Sequence, residues 1–278
     1  MDFGKAFVVK PGSRVHLAKI DPEFTGDITS HKKAAEAIQN EVARMDRLQY
    51  LLYADAGQSL LVVLQGLDAA GKDGTIRHLF SGMNPQGTSV ASFKEPSKTE
   101  LAHDFLWRVH FQAPAKGEVM IFNRSHYEDV LVVRVHKLVP RAVWSKRFKL
   151  INAFERMLAF HGTRILKFFL HISPEEQLAR FKQRLDDPAR QWKISESDYS
   201  ERELWPEYIK AYEEALERTS TAHAPWYVIP ANHKWFRDLA ISTIIADTME
   251  EMKLTVPAPR VDLADIRRRF HAAENSSP

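Results

Sequence analysis

The residues best suited to chemistry lie between Gly66 and Lys72, where the chain reads Gly-Leu-Asp-Ala-Ala-Gly-Lys. This spacing fits G-x-x-x-x-G-K, a phosphate-binding loop, when a strand precedes it and a helix follows it. Glycine adopts backbone angles closed to other residues, so successive N–H groups can surround an anion that Lys72 reaches as a point charge. A glycine-rich loop that binds nothing is the alternative. We predict phosphate contacts from Gly66, Ala69, Ala70, Gly71, Lys72, Asp73, Gly74 and Thr75.

Two carboxylates accompany this loop, and one of them departs from the common pattern. The residue after the lysine is normally Ser or Thr, which holds magnesium, whereas here it is Asp73. Asp68 lies within the loop itself. Because carboxylates that face a bare polyanion would repel it, we expect a divalent cation between these side chains and the phosphates.

A second group of polar residues follows the strand predicted over 118–122. An arginine in this position, Arg124, is suited to clamp a phosphoryl group during transfer. Glu128 can complete a metal site with Asp68; alternatively, Arg124 forms a structural ion pair with Glu128 or Asp129. A nucleotide hydrolase of the usual kind would carry Asp where Asn123 stands, which argues against such an enzyme.

Basic residues further along the chain indicate where an anionic ligand would run. Lys94 follows the strand predicted over 88–93. Arg180 and Arg184 are four residues apart, hence on one face of a predicted helix, and Lys193 lies in the basic segment after it. We expect this helix to fold over the loop as a lid for a ligand more anionic than one nucleotide. A solvated charged surface is the alternative.

The elements that must position these residues follow from the apolar pattern. Short apolar runs predict strands over 60–64, 88–93, 118–122, 163–172 and 226–230. Helical periodicity predicts helices over 31–56, 99–112, 140–160, 174–185, 200–219 and 234–253. Strands that alternate with helices predict an α/β fold, with a parallel sheet covered by helices on both faces and ligands at the carboxyl ends of its strands.

We divide the chain into three parts. Residues 1–57 form an amino-terminal extension with an amphipathic helix, residues 58–255 a P-loop phosphotransferase domain, and residues 256–278 a carboxyl-terminal tail of a helix and a frayed end. The lid occupies about 174–200 of the central part.

Composition narrows the function classes. The 278 residues, 44% of them hydrophobic, can bury a sizeable core, and no apolar run is long enough to cross a membrane. The chain has no cysteine, which excludes disulfides and thiol chemistry, and its start lacks a signal-peptide pattern, so we expect a cytoplasmic protein. A formal net charge of +3 is too small to predict nucleic-acid binding.

With these motifs the chain resembles the family-two polyphosphate kinases, which are polyphosphate:nucleotide phosphotransferases. The resemblance rests on the segments 66–75, 92–94, 105–108, 122–129, 166–173 and 224–231. Asp73 after the lysine is what this family shows. The family is similar in fold to thymidylate kinase, which implies a P-loop kinase-like three-layer sandwich with a parallel sheet and a helical lid.

The resemblance also implies catalytic and metal-binding roles. Lys72 and Arg124 would stabilise the transferring phosphoryl group, while Asp68 would be essential and would hold Mg²⁺ or Mn²⁺. Asp73 would belong to the same acidic cluster. Glu128 stands where the class III subgroup, which phosphorylates nucleoside monophosphates as well as diphosphates, has a glutamate.

The same resemblance implies the substrates. Lys94, Arg180 and Arg184 would line a polyphosphate path, and the terminal phosphoryl group would pass reversibly to AMP or ADP, giving ADP and ATP. Adenine or guanine nucleotides would be partners, without nucleic acid or membrane, in a dimer or tetramer of identical chains. An ATP-dependent nucleoside monophosphate kinase of the thymidylate kinase type and a non-catalytic polyphosphate- or nucleotide-binding module are the alternatives.

Overall fold

The apolar segments that alternate along the sequence pair into one sheet. A computed structural model describes residues 1–28 and 30–275, and its sheet has the strand order β1-β6-β5-β2-β4-β3. The strands are β1 (Val8–Val9), β2 (Ser59–Gln65), β3 (Thr88–Ser92), β4 (Val119–Asn123), β5 (Thr163–His171) and β6 (Trp226–Pro230). Strands β2 to β6 are parallel, and β1 pairs antiparallel with β6.

Helices cover both faces of this sheet. They are α1 (Phe3–Phe7), α2 (His31–Asp55), α3 (Lys72–Leu79), α4 (Lys98–Leu101), α5 (Trp107–His110), α6 (Val132–Val135), α7 (Arg141–Phe160), α8 (Pro174–Asp186), α9 (Ser197–Glu203), α10 (Trp205–Thr219), α11 (Lys234–Glu251) and α12 (Leu263–Asn275). No helix in the described part of the chain is long and apolar enough to cross a membrane.

Strand β2 lies at the centre and explains the layering. Its residues 60–64 are all fully buried, because each face of the strand packs against a different layer of helices. Val62 belongs to a core shared with α2, α3 and α11, whereas Val63 belongs to a core shared with α7 and α10. The arrangement confirms the predicted α/β sandwich with helices on both faces.

The register of the sheet brings the predicted motifs to one edge. Leu64 in β2 lies opposite Asn123 in β4 and Phe168 in β5, so β2 and β4 end side by side while β5 continues to His171. The backbone N–H of Arg124 donates to the Leu64 carbonyl at 3.1 Å, which connects the end of β4 to the end of β2. The loop after β2 and the segment after β4 are therefore neighbours.

The structure differs from the predicted elements in three places. The predicted helix over 99–112 is broken, because the Asp104 side chain accepts from the Leu106 N–H at 2.9 Å and starts a new turn. The predicted helix over 200–219 is two helices, since Pro206 fits only the first turn of α10. Strand β1 and helix α1 were not predicted, because elements of two and five residues leave no periodic pattern.

The carboxyl-terminal tail contains α12, whose residues are all at least partly exposed. The last three residues, 276–278, which the sequence analysis assigned to a frayed end, lie outside the described residues.

Candidate active site

The loop after β2 has the backbone shape that its glycines predict. Gly66 and Gly71 have φ values of +155° and +107°, where side chains are disfavoured. A Cβ on Gly71 would collide with the Arg237 guanidinium, and a Cβ on Gly66 would lie 3.0 Å from the Leu170 carbonyl oxygen. Helix α3 then begins at Lys72, so its positive end and its first N–H groups meet the loop.

Arg180 holds the loop from behind. Its guanidinium donates to the carbonyl oxygens of Ala69 and Ala70, each at 2.9 Å, and to those of Ala231 and Asn232 at 2.6 and 3.0 Å. In a trans peptide the N–H points away from the preceding carbonyl. The Gly71 N–H is therefore directed away from Arg180, toward the side where a phosphate would bind.

This position corrects the prediction for Arg180. We expected it to line an open path for an anion on the lid, but the residue is only 5% exposed. Its Nε also donates to Glu176 at 2.6 Å, so all three guanidinium nitrogens bond to protein oxygens. Arg180 shapes the loop; it does not line an open path.

Lys72 is buried at the start of α3, and its Nζ donates to the carbonyl oxygens of Gly66 and Leu67 at 2.6 and 3.3 Å. Burial and the nearby charge of Arg124 lower the pKa of Lys72. An anion bound beside it would favour its charged form, because opposite charges attract strongly where water is scarce. Lys72 is thus a cation held in place for such an anion.

Asp73 and Asn123, the two residues that depart from the usual phosphate-loop pattern, contact each other. Asn123 at the end of β4 donates from Nδ2 to Oδ1 of Asp73 at 2.7 Å. The usual pair is a hydroxyl on the helix and a carboxylate on the strand; here the carboxylate is on the helix and an amide is on the strand. The pair of residues at the ends of β4 and the loop therefore still contains one carboxylate. The sequence analysis did not recognise that Asn123 and Asp73 form this pair.

Arg124 lies between the two carboxylates proposed for the metal. Its Nη2 donates to Asp68 at 3.0 Å, and its Nη1 is 4.0 Å from Glu128. Its φ of +61° is uncommon for a residue with a side chain, and such backbone conformations are concentrated at functional sites. Burial raises the pKa of Glu128, although Arg124 and a hydrogen bond from Gln65 at 3.1 Å oppose that rise.

The donor set fits a cation that shares its ligands with phosphate. No three Asp, Glu or His side chains converge as a complete metal site in the part of the chain described here. Asp68 and Asp73 nevertheless offer carboxylate oxygens beside the loop, and Mg²⁺ is commonly held by one or two carboxylates together with phosphate oxygens and water. Asp68 and Glu128, the pair predicted from the sequence to hold the metal, both lie beside the Arg124 guanidinium, at 3.0 and 4.0 Å.

The remaining predicted phosphate contacts lie at different distances from the loop. Lys193, in the 3₁₀ helix Gln191–Lys193, is 3.9 Å from Asp73, whereas Arg184 is directed to Asp198 at 3.4 Å. Lys94 is exposed beyond β3, which is separated from β2 by β4. Thr75 is fully buried in α3. Among these residues, Lys193 is the one that the structure brings to the loop.

A cavity of about 200 Å³ opens at the start of the loop. We call it the tyrosine-lined cavity; it is lined by Gly66, Leu67, Asp68, Arg124, Glu128, Val132, His136, Gln177, Ser197, Glu201, Trp205, Tyr208 and Tyr212. The sequence analysis missed the aromatic members. Trp205, Tyr208 and Tyr212 recur at intervals of three and four along α10, which is a signal for one helical face.

A buried polar group supports the segment that carries Glu128. Lys167 donates to Glu155 at 2.6 Å and to the Tyr127 hydroxyl at 2.8 Å, and His126 Nε2 is 3.2 Å from Glu155. The Lys167, Glu155 and His126 side chains are fully buried. His126 and Tyr127 belong to the short 3₁₀ helix His126–Asp129, so this group fixes the turn between Arg124 and Asp129.

The loop and Arg124 at the strand ends of a parallel sheet define a P-loop phosphotransferase. A family model described as Polyphosphate kinase 2 (PPK2) matches residues 28–257, and the chain belongs to this family. The resemblance found in the sequence is thereby confirmed.

Several known proteins are similar over nearly the whole chain. An AMP/ADP-polyphosphate phosphotransferase of Meiothermus ruber is 53% identical over 256 residues, 92% of this chain and 96% of that protein. An ADP-polyphosphate phosphotransferase of Rhodopseudomonas palustris is 44% identical, covering 96% of this chain and 98% of that protein. The crystal structure of polyphosphate kinase 2 from Arthrobacter aurescens TC1 has a TM-score of 0.94 at 39% identity, covering 98% of this chain and 97% of that one.

We predict that Lys72→Ala and Arg124→Ala each lower kcat by about a hundredfold or more, because each removes a cation from the transferring phosphoryl group. Steady-state kinetics measures the loss, and urea unfolding checks that both variants remain folded. Lys149→Ala, an exposed lysine on α7, is the matched control and should retain normal turnover. Near-normal rates in the Lys72 and Arg124 variants would contradict these assignments.

For Arg180→Ala we predict a loss of about 3–5 kcal/mol in the free energy of unfolding, because four carbonyl oxygens lose a charged donor. Arg184→Ala is the control, since its only ion pair, within the described residues, is 3.4 Å long. Its effect should stay below about 1 kcal/mol in urea titrations. An unchanged stability for Arg180→Ala, with a raised KM for the anionic donor, would restore the path-lining role.

Glu155→Gln tests the buried group, since it leaves the Lys167 charge without its carboxylate. We expect it to lower the free energy of unfolding by about 3–5 kcal/mol. The control Asp186→Asn breaks the exposed ion pair with Lys182, where about 0–1 kcal/mol is expected. Equal effects of the two substitutions on urea unfolding would show that the buried group is not a support.

Proposed function

We propose that this protein transfers the terminal phosphoryl group of inorganic polyphosphate to AMP and ADP, giving ADP and ATP reversibly. The observation that carries the proposal is the position of Arg124, which lies beside the phosphate loop and also lines the tyrosine-lined cavity. A phosphoryl group at the loop and a nucleotide in the cavity would share this guanidinium. The names of the relatives, which act on polyphosphate with AMP or ADP, support the same reaction.

The tyrosine-lined cavity is the site that we assign to the acceptor nucleotide. Leu67, Trp205 and Tyr208 supply the apolar and aromatic surface that a nucleoside needs, and Arg124 supplies a charge for its phosphate. Glu128 lines the same cavity, and its side chain is 15% exposed. We assign it the role of admitting the monophosphate, as in the class III subgroup that its position resembles.

The reaction then needs positioning and charge neutralisation more than covalent help. The N–H groups at the start of α3 and the Lys72 ammonium hold the terminal phosphate of the donor, and Arg124 offsets the charge that develops as the acceptor oxygen attacks in line. Direct in-line transfer from donor to acceptor requires no protein nucleophile. Asp68 and Asp73 would hold Mg²⁺ or Mn²⁺, which would neutralise charge on the phosphates when bound.

The lid completes this arrangement. We assign it to about 174–200, because Lys193 approaches Asp73 across the loop while Gln177 at the start of α8 donates to the Asp68 carbonyl at 2.9 Å. Closure of such a segment would exclude water from the phosphoryl group.

We also propose that the protein is a cytoplasmic homo-oligomer, dimer or tetramer, which gel filtration with light scattering tests.

The decisive assay supplies AMP, Mg²⁺ and long-chain polyphosphate without ATP and follows the nucleotides by chromatography. We expect ADP to form first and ATP later, because AMP is converted to ADP before ADP can be used. Lys72→Ala protein is the control for contaminating kinases.

Other outcomes discriminate between the alternatives. If ADP yields ATP but AMP does not react, the donor assignment stands and the role of Glu128 is wrong. If polyphosphate gives nothing while ATP phosphorylates a nucleoside monophosphate, the protein is an ATP-dependent nucleotide kinase. Binding of polyphosphate without turnover on any acceptor would indicate a binding module.

A further inference from the structure

Strand β2 ends in a buried polar residue that has no part in the reaction itself. Gln65 follows the apolar residues 60–64, is fully buried, and directly precedes Gly66 of the phosphate loop. A buried amide costs free energy unless hydrogen bonds replace those that it would make with water. The partners of Gln65 therefore indicate what this side chain does.

These partners lie in the segments that form the tyrosine-lined cavity. Gln65 Nε2 donates to Ser125 Oγ and to Glu128 Oε1, each at 3.1 Å. The Tyr212 hydroxyl donates to Gln65 Oε1 at 3.4 Å. Glu128 and Tyr212 both line the cavity. One amide thus connects the end of β2 to the 3₁₀ helix His126–Asp129 and to α10, and both its hydrogens and its oxygen are engaged.

The chemistry of the partners fixes the orientation of the Gln65 amide. If the amide were rotated by half a turn, its oxygen would lie against the Glu128 carboxylate, and two acceptors cannot form a hydrogen bond. The Tyr212 hydroxyl would then meet an NH₂ group instead of the oxygen to which it donates. Only the observed orientation gives the carboxylate a donor.

Glu128 depends on this donor. Within residues 1–28 and 30–275, Gln65 is the only side chain that donates a hydrogen bond to Glu128, and it does so to Oε1. The other oxygen, Oε2, is 4.0 Å from Arg124 Nη1, which is too long for a hydrogen bond. Since Glu128 lines the cavity, Oε2 is the oxygen that remains for a ligand there.

Without the bond from Gln65, the carboxylate would not stay in this place. A glutamate side chain has several rotatable bonds, and holding it in one conformation costs entropy. Arg124 would attract a released carboxylate, because a guanidinium and a carboxylate form strong hydrogen bonds when they are in contact. The bond from Gln65 holds Glu128 short of that contact.

We propose that Gln65 is a positioning residue for the acceptor nucleotide, because it holds the Glu128 carboxylate with Oε2 toward the cavity. The proposal rests on the proposed function, in which Glu128 admits the monophosphate. AMP has one phosphate fewer than ADP, so its ribose must lie closer to the loop when its phosphate attacks from the same point. Oε2 would accept a hydrogen bond from a ribose hydroxyl in that place. Gln65 thereby contributes to the use of AMP beside ADP.

Two substitutions of Gln65 test this role. Gln65→Met keeps the length of the side chain but removes its hydrogen bonds. Gln65→Glu can still accept from the hydroxyl groups of Ser125 and Tyr212, but it cannot donate to Glu128 when it is ionised. It therefore removes the bond in question while a polar group remains in place, and it serves if the methionine variant does not fold. Urea unfolding checks the fold of both.

The matched control is Gln49→Met. Gln49 is another fully buried glutamine, on α2, and its Oε1 accepts from the Asn84 N–H at 3.2 Å. It does not line the tyrosine-lined cavity. The control therefore loses the same kind of side chain from the protein interior without a change beside Glu128.

The kcat and KM of AMP and of ADP are measured with polyphosphate as donor, and calorimetric titration measures the binding of each nucleotide without turnover. In both Gln65 variants we expect the ratio of kcat/KM for AMP to that for ADP to fall about tenfold, since a hydrogen bond to a charged group is lost. The loss should appear mainly as a higher KM for AMP. Gln49→Met should leave the ratio unchanged, because a general loss of stability affects both acceptors alike.

A double-mutant cycle with Glu128→Ala shows whether Gln65 acts through Glu128. In that background we expect Gln65→Met to change the AMP to ADP ratio by less than about twofold, since no carboxylate remains to be positioned. An unchanged ratio in both single variants of Gln65 would overturn the proposal. So would a fall in the ratio that persists in the Glu128→Ala background.

The titration separates this proposal from the proposed function. If wild-type protein transfers nothing from polyphosphate, but Gln65→Glu still weakens the binding of AMP relative to ADP, the positioning role stands and the reaction is wrong. If transfer to AMP and ADP is normal and their ratio is the same in wild-type protein and both Gln65 variants, the reaction stands and the positioning role is wrong.

Discussion

The structure depends on one buried guanidinium. Arg180 donates hydrogen bonds to carbonyl oxygens of the loop after β2 and of the segment after β6. It therefore connects two segments that are far apart in sequence. A buried carbonyl without a donor is costly, so these bonds fix the direction of each peptide. Because the Ala70 carbonyl faces Arg180, the N–H of Gly71 can face a phosphate. The anion site is made by a cation that does not touch the anion.

Positive and negative side chains lie on different sides of that loop. Lys72 and Arg124 lie at the loop itself, carboxylates line the side toward α10, and surplus positive charge lies on the side toward α11. The Lys167–Glu155 pair beneath the 3₁₀ helix keeps the segment with Arg124 and Glu128 in place, which matters because Arg124 holds an uncommon backbone conformation. Under the proposed function, the acceptor nucleotide would lie on the aromatic side toward α10.

The parts of the fold and site that depend on neighbouring residues in the sequence could be predicted. The loop follows from the seven residues 66–72, its strand follows from the apolar run 60–64, and Arg124 follows from its place after a strand. The prediction that Arg180 lines an open path was wrong. Helical spacing shows which face of the helix carries a residue, but it does not show which other segments pack on that face. The pairing of Asn123 with Asp73 and the cavity beneath α10 depend on contacts between distant segments, for which one sequence without structure has no signal. Strand β1 was missed because two residues show no period.

The most direct measurement of the account is a crystal structure with AMP, Mg²⁺ and a methylene-bridged tripolyphosphate that cannot be cleaved. The account predicts the adenine ring in the tyrosine-lined cavity beside Trp205 and Tyr208. The AMP phosphate should lie at Arg124, and the analogue at the loop beside Lys72. A nucleotide bound outside the tyrosine-lined cavity, or an analogue bound away from the loop, would contradict it.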